Sequence, residues 1–296
     1  MQTYAYVGKR RLTCASWVQA AQETHMSYAP ILTIANEKGG VGKTATAVNV
    51  AAALARAGLR VVAVDGDSQA DLTWGVGAEP DQGPGFAEAI EHAAQGDTFD
   101  PATLLPTVVD GLRVLAGGQG LAEVAPELYT AGADGEEWVS TALRAVAELE
   151  DVDVVVIDTP PSPGPVTIGA IMAADLTLAI ANARQANSVA ALQTLIERAK
   201  AISARGGHGG VRVVLQGHDE HRVLHRDMRD RLQAEPEGLF AVIPHSKDVE
   251  ESPLDGVPLV ASRGRGSSRT AWALCDLAQD AYNVARQIHT QQVTAA

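Results

Sequence analysis

The chain runs to 296 residues, 46% of them hydrophobic and 4% aromatic, with a net charge of −13. That apolar content excludes a disordered chain and suffices for a sizeable core, in one large α/β domain or two smaller ones. No apolar run approaches the roughly 18 residues that span a bilayer, and Cys14 and Cys275, far apart and in no C-x-x-C pattern, read as reduced thiols rather than a disulfide framework or metal site.

The charge is unevenly spread. Residues 1–60 carry 7 Lys/Arg against 2 Asp/Glu, residues 61–180 carry 2 against 21, and residues 181–296 carry 14 against 13. Taken whole, the acidity argues against nucleic acid as a partner; taken by thirds, it leaves a basic surface available near the C-terminus. Lys9-Arg10-Arg11 has no apolar stretch behind it and is no secretory signal. Residues 1–29 are expected to form a mobile extension, with Met26-Ser27 leaving 1–25 open to being an upstream start. Residues 30–290 are expected to form a single domain, and 291–296 a tail.

The first predicted strand, "ILTIAN" (31–36), leads into "ANEKGGVGKTA" (35–45) and a helix over 44–57 that ends at Gly58. Strand, glycine-rich loop and helix are the context a phosphate loop requires. Gly39, Gly40 and Gly42 let backbone N–H groups turn inward, and the helix start adds its own free N–H groups. The phosphate-binding segment is read as Lys38, Gly39, Gly40, Val41, Gly42, Lys43, Thr44 and Ala45. Lys43 reaches the β- and γ-phosphates, and the Thr44 hydroxyl binds Mg²⁺. One feature departs from G-x-x-x-x-G-K-[ST]: Glu37 stands where the first glycine belongs, and Lys38 adds a second lysine.

The second strand, "RVVAVD" (60–65), ends at Asp65, with Asp67 beyond it. Carboxylates at strand C-termini of an open α/β sheet face the ligand crevice. A turn is expected over 79–85, then a strand over 112–117 and a helix over 137–149. "VDVVVID" (152–158) is a buried strand ending in Asp158, with prolines at 160 and 161 to stiffen the following turn. Mg²⁺ takes one or two carboxylates plus phosphate oxygens and water, which Thr44 and Asp158 satisfy. Strands at 176–182, 211–216 and 238–244 alternate with helices at 187–204, 221–233 and 269–288. Such alternation predicts βαβ units: an α/β fold with a doubly wound, mostly parallel sheet flanked by helices on both faces.

Arg222, Arg226 and Arg229 fall at i, i+4, i+7, and Arg263, Arg265 and Arg269 stand among glycines and serines. Both sets are candidate contacts for DNA phosphates, read without sequence specificity; the alternative for the first is a solvated helix laced with Asp227 and Asp230. His208, His218, His221 and His225 have glycine and arginine neighbours, so they are read as solvated rather than metal-binding.

"KGGVGKT" resembles the deviant Walker A motif of the ParA/MinD family of ATPases. The resemblance extends over about residues 31–288. Asp65-Gly66-Asp67-Ser68-Gln69 and Thr73 match D-x-D-P-Q-x-x-x-T except that Ser68 replaces the proline. Asp158-Thr159-Pro160-Pro161 resembles the family's D-x-P-P. Ile243, Pro244, Glu251, Ser252, Gly256 and Pro258 fall in a partition-ATPase segment, and Asp219 and Arg222 match a family motif in which His218 and Val223 do not.

The resemblance implies a P-loop NTPase that hydrolyses ATP with Mg²⁺ as a sandwich homodimer. Lys38 would act across the dimer interface, so no glycine is needed at position 37. Lys38, Lys43 and Asp67 become the catalytic set; Thr44, Asp67 and Asp158 the metal set; Gln216, Pro244 and His245 the adenine contacts. It further implies a cytoplasmic, nucleoid-associated partition ATPase that binds nonspecific double-stranded DNA and answers to a ParB-type centromere-binding protein, moving a plasmid or chromosome. The alternatives are a MinD-like membrane-associated ATPase and a positioner of protein cargo. A MinD-type membrane helix is basic on its polar face, whereas this C-terminus sets Arg286 against Asp276 and Asp280; no membrane partner is expected. An iron–sulfur reductase would need cysteines beside the switch loops, and an amidotransferring synthetase a further domain.

Overall fold

The computed structural model describes residues 28–80, 84–185, 188–203, 209–235, 238–251 and 255–295. Of the expected features, most of the N-terminal extension, His208 and Ser252 lie outside these residues. Eight strands appear among the described residues: β1 (Ile31–Ala35), β2 (Val61–Asp65), β3 (Leu105–Pro106), β4 (Leu112–Leu115), β5 (Val154–Asp158), β6 (Leu176–Asn182), β7 (Gly210–His218) and β8 (Leu239–Pro244). They form one sheet in the order β3-β4-β2-β5-β1-β6-β7-β8. All neighbours are parallel except β3 and β4. The apolar runs predicted seven of these strands; the short antiparallel β3 was not foreseen, because two residues carry no periodicity.

The helices are α1 (Lys43–Arg56), α2 (Asp71–Gly75), α3 (Phe86–Gln95), α4 (Gln119–Ala131), α5 (Ala133–Ala147), α6 (Pro165–Ala173), α7 (Ser188–Ser203), α8 (Val223–Ala234), α9 (Lys247–Glu251) and α10 (Arg269–Ala295). Five coincide with predicted helices, though α10 runs past 288 and into the expected tail. Among the others, α4 and α6 escaped prediction for local reasons. α4 carries Pro126 inside, and α6 is apolar on all sides because it is buried, so it has no amphipathic period.

Alternate residues of each central strand enter opposite cores. Leu32, Ile34, Ala63 and Val156 pack with Val48, Ala52, Leu274 and Ala278 of α1 and α10. Ile31, Val62, Val155 and Ile157 pack with Phe86, Leu121, Leu143 and Val146 of α3, α4 and α5. Beyond β1 that second face continues under α7 and α8, where Leu195 and Leu232 meet Ala179, Val213 and Leu215. Burial on both faces explains why the strands read as apolar runs. Because the central strands are parallel, their C-terminal ends lie along one edge, carrying Asn36, Asp65, Asp158, Asn182 and Gln216.

Candidate active site

The loop between β1 and α1 turns on two glycines in the left-handed region, Gly40 at φ 72° and Gly42 at φ 97°. A side chain at either position would be strained. Gly42 precedes α1, which starts with no side-chain cap and no acid in its first turn. Its N–H groups therefore point into the loop unmatched by any cap, and the helix dipole adds positive potential there.

Side chains from β6 and the turn after it hold this loop in shape. Asn182 Nδ2 donates to the Val41 carbonyl at 3.3 Å, and Gln185 Nε2 to that of Gly40 at 3.0 Å. Asn36, fully buried, donates to Ile180 O and accepts the Lys38 N–H at 2.9 Å. Behind the loop, Gln216 Nε2 donates to Thr46 Oγ1 at 2.6 Å, and Thr46 in turn donates to Gly42 O at 2.7 Å. Gln216 is thus buried against the phosphate loop. Pro244 and His245 lie at the end of β8, where the His245 N–H donates to His218 O at 2.8 Å.

Lys43 is buried, and desolvation pulls its ammonium below the usual lysine range against the attraction of Asp158 and Asp67. Its Nζ reaches the Lys38 carbonyl at 3.4 Å. Thr44 Oγ1 donates to Asp158 Oδ2 at 2.5 Å, while Asp158 Oδ1 is buried with no hydrogen-bond partner. Burial pushes the Asp158 carboxyl up to about 8, with the neighbouring Asp65 and Asp67 adding to the rise. A buried carboxylate with one oxygen unmatched, beside a hydroxyl and an ammonium lacking any carboxylate bond, fits a Mg²⁺–phosphate group. Thr44, Asp158 and, from the next loop, Asp67 are the residues that would hold it.

Asp65 plays a part that sequence reasoning did not assign. Fully buried, its Oδ2 accepts the Thr73 N–H at 2.8 Å and the Thr73 hydroxyl at 2.7 Å; its Oδ1 accepts the Asp67 N–H at 3.1 Å. Burial raises it to about 6 despite these bonds. Asp65 therefore ties down the loop that carries Asp67. Gly66 N donates to Asp158 O at 2.9 Å, joining that loop to β5. A cavity of about 160 Å³ opens beside it, between Asp67, Ser68, Tyr129 and Pro160.

The charge at position 37 also finds a partner. Glu37 Oε1 accepts from Arg198 Nε of α7 at 2.8 Å, and both side chains are partly buried.

The two arginine sets touch through Arg269. Arg269 Nη2, at the start of α10, pairs with Glu220 Oε1 just before α8 at 2.9 Å. Arg226 Nη1 donates to the Glu220 carbonyl at 2.6 Å. Arg222, the N-cap of α8, lies 3.5 Å from Asp219; Arg229 pairs with Asp230, and Arg265 with Asp255. Arg263 is exposed. The histidine reading needs correction. His218 and His225 are buried, and His225 Nδ1 accepts the Asp219 N–H at 3.0 Å, so they brace the turn between β7 and α8. Desolvation holds both below the usual histidine range.

A family model described as an AAA domain matches residues 29–208. The chain is 34% identical over 230 residues to the chromosome-partitioning ATPase Soj of Thermus thermophilus, covering 76% of this chain and 85% of that protein. Among solved structures, an ATP complex of Cyanothece McdA superposes with a TM-score of 0.74 at 21% identity, over 87% of this chain and 97% of that one. Cobyrinic acid a,c-diamide synthase of Mycobacterium smegmatis with ADP and magnesium superposes with a TM-score of 0.65 at 26% identity, over 85% and 93%.

Proposed function

This chain belongs to the ParA/MinD family of P-loop ATPases, and we propose that it is a DNA-partition ATPase whose ATP-bound homodimer holds double-stranded DNA without sequence preference. A ParB-type centromere-binding protein stimulates hydrolysis, the dimer separates from DNA, and repetition of the cycle segregates a plasmid or chromosome. The observation that carries this reading is the similarity to the partitioning ATPase Soj, which continues well past the phosphate loop over 230 residues.

In this reading the N–H groups of residues 39–44 and Lys43 bind and orient the β- and γ-phosphates of ATP. Thr44, Asp158 and Asp67 would hold Mg²⁺, which would supply positive charge against the phosphate oxygens. Asp67, held by Asp65 through its own backbone N–H, orients the attacking water. Lys38 extends to the nucleotide of the second subunit and adds positive charge that only the dimer supplies.

Two structural features support DNA rather than membrane as the surface bound. The Arg269–Glu220 pair brings Arg269 beside Arg226 at the start of α8, with Arg222 and Arg269 more than 60% exposed at their side chains. On α10, Leu274, Leu277, Ala278, Ala281 and Tyr282 are buried in the core, while Trp272 is exposed at its start. No helix among the described residues is long and apolar enough to cross a membrane.

The test is binding of purified protein to nonspecific duplex DNA with ATP, ADP or no nucleotide, at two salt concentrations, with anionic liposomes alongside. Binding that requires ATP and weakens with salt is the expected result. ATP-dependent liposome binding without DNA binding would move the assignment to the MinD class. Binding to neither would redirect it to a protein cargo.

A further inference from the structure

We propose that Arg198 of α7 is a positioning residue of the phosphate loop, acting by sequestering the carboxylate of Glu37. Glu37 is the charge that replaces a loop glycine. It immediately precedes Lys38, whose own N–H is fixed by Asn36 at 2.9 Å and whose carbonyl faces Lys43 Nζ at 3.4 Å. An unpaired carboxylate there would repel the phosphates that the loop amides receive. It would also compete with them for the Lys38 and Lys43 ammonium groups.

Arg198 removes that liability. Its Nε meets Glu37 Oε1 at 2.8 Å, across 161 residues of sequence. The Glu37 side chain is 13% exposed and that of Arg198 32%, so the carboxylate is shielded while the guanidinium remains in part solvated. The loop is then left with the positive charge of its lysines and helix start. Asn182 and Gln185 approach the same loop from the β6–α7 side, so Arg198 completes a set of contacts from one direction.

The test uses the full chain with Glu37→Gln, Arg198→Gln and the double variant, measuring Mg·ATP affinity by calorimetry and folding by thermal melting. Arg198→Gln frees the carboxylate and should weaken Mg·ATP by about tenfold, the scale of repulsion between two unit charges several ångströms apart in a partly screened site. Glu37→Gln should bind at least as well as the parent. The double variant should return to within about twofold of it, because the two substitutions share one interaction. Parental affinity in Arg198→Gln would overturn the proposal. So would a double variant as weak as Arg198→Gln, which would make Arg198 a packing residue. Should Arg198→Gln fail to fold, Glu37→Gln alone decides, since a tenfold loss there would mean that the carboxylate itself helps binding. The proposal rests on the nucleotide site described above. Lys43→Ala serves as control: if it still bound ATP, that site would be at fault rather than Arg198.

Discussion

Replacing Thr73 by valine tests how the loop carrying Asp67 is held. The change keeps side-chain volume and removes one hydroxyl. That hydroxyl donates to Asp65 Oδ2 at 2.7 Å and accepts the Gly117 N–H at 3.2 Å. Losing a hydrogen bond to a buried carboxylate costs about 1.5–3 kcal/mol, and an N–H left without an acceptor adds about 1 kcal/mol. A total near 3 kcal/mol lowers Tm by about 6–12 °C in a protein of this size. The loss also depends on pH. The Asp65 carboxyl is raised to about 6 in the folded protein, against about 3.9 unfolded. Its contribution to stability is full below the unfolded value and is lost as pH rises through the folded one. Without the hydroxyl the folded value climbs further, so the variant falls behind the parent most above about pH 6. Thermal melts at about pH 5 and about pH 7.5 read this directly. A loss of equal size at both values, or none at the higher, would refute the assignment of Asp65 as the buried anchor.

Lys43→Ala should abolish nucleotide binding by calorimetry, because it removes the ammonium buried beside Asp158 at the loop. Asp67→Ala should still bind ATP yet release no phosphate, and normal turnover would remove Asp67 from the water-orienting role. Mg·ATP affinity should strengthen as pH rises toward about 8: the metal needs Asp158 ionised, and burial keeps it protonated up to about that value. Calorimetry in buffers of different ionisation heat should show a proton released on binding at neutral pH, and Asp158→Asn should not release it. Lys38→Ala should bind nucleotide but fail to form the ATP-dependent dimer by light scattering; an unchanged dimer would contradict the role across the interface.

Much of this protein is legible in one dimension. The central strands announce themselves because residues buried on both faces must all be apolar, as in "VVAVD" and "VVVID". The phosphate loop announces itself because its chemistry is local: glycines, a lysine, a threonine and a helix start within a few residues. Asp65 and Asp158 follow from strand ends in a parallel sheet, while the role of Asp67 came from the family resemblance. α6 and α4 stayed hidden, the one for lack of a polar face and the other for an internal proline. Only the tertiary structure decided what each charge near the site would meet. Thr44 and Asp158 are 114 residues apart, Glu37 and Arg198 are 161. The pairing of such groups depends on the order in which the sheet places β1, β5 and β6 and on the helix laid over them, and no local pattern of residues records that order. The same holds for Arg269, which meets Glu220 ahead of α8 across 49 residues of sequence. Local sequence determined the parts that carry the chemistry; long-range packing determined which of their charges remain free to use it.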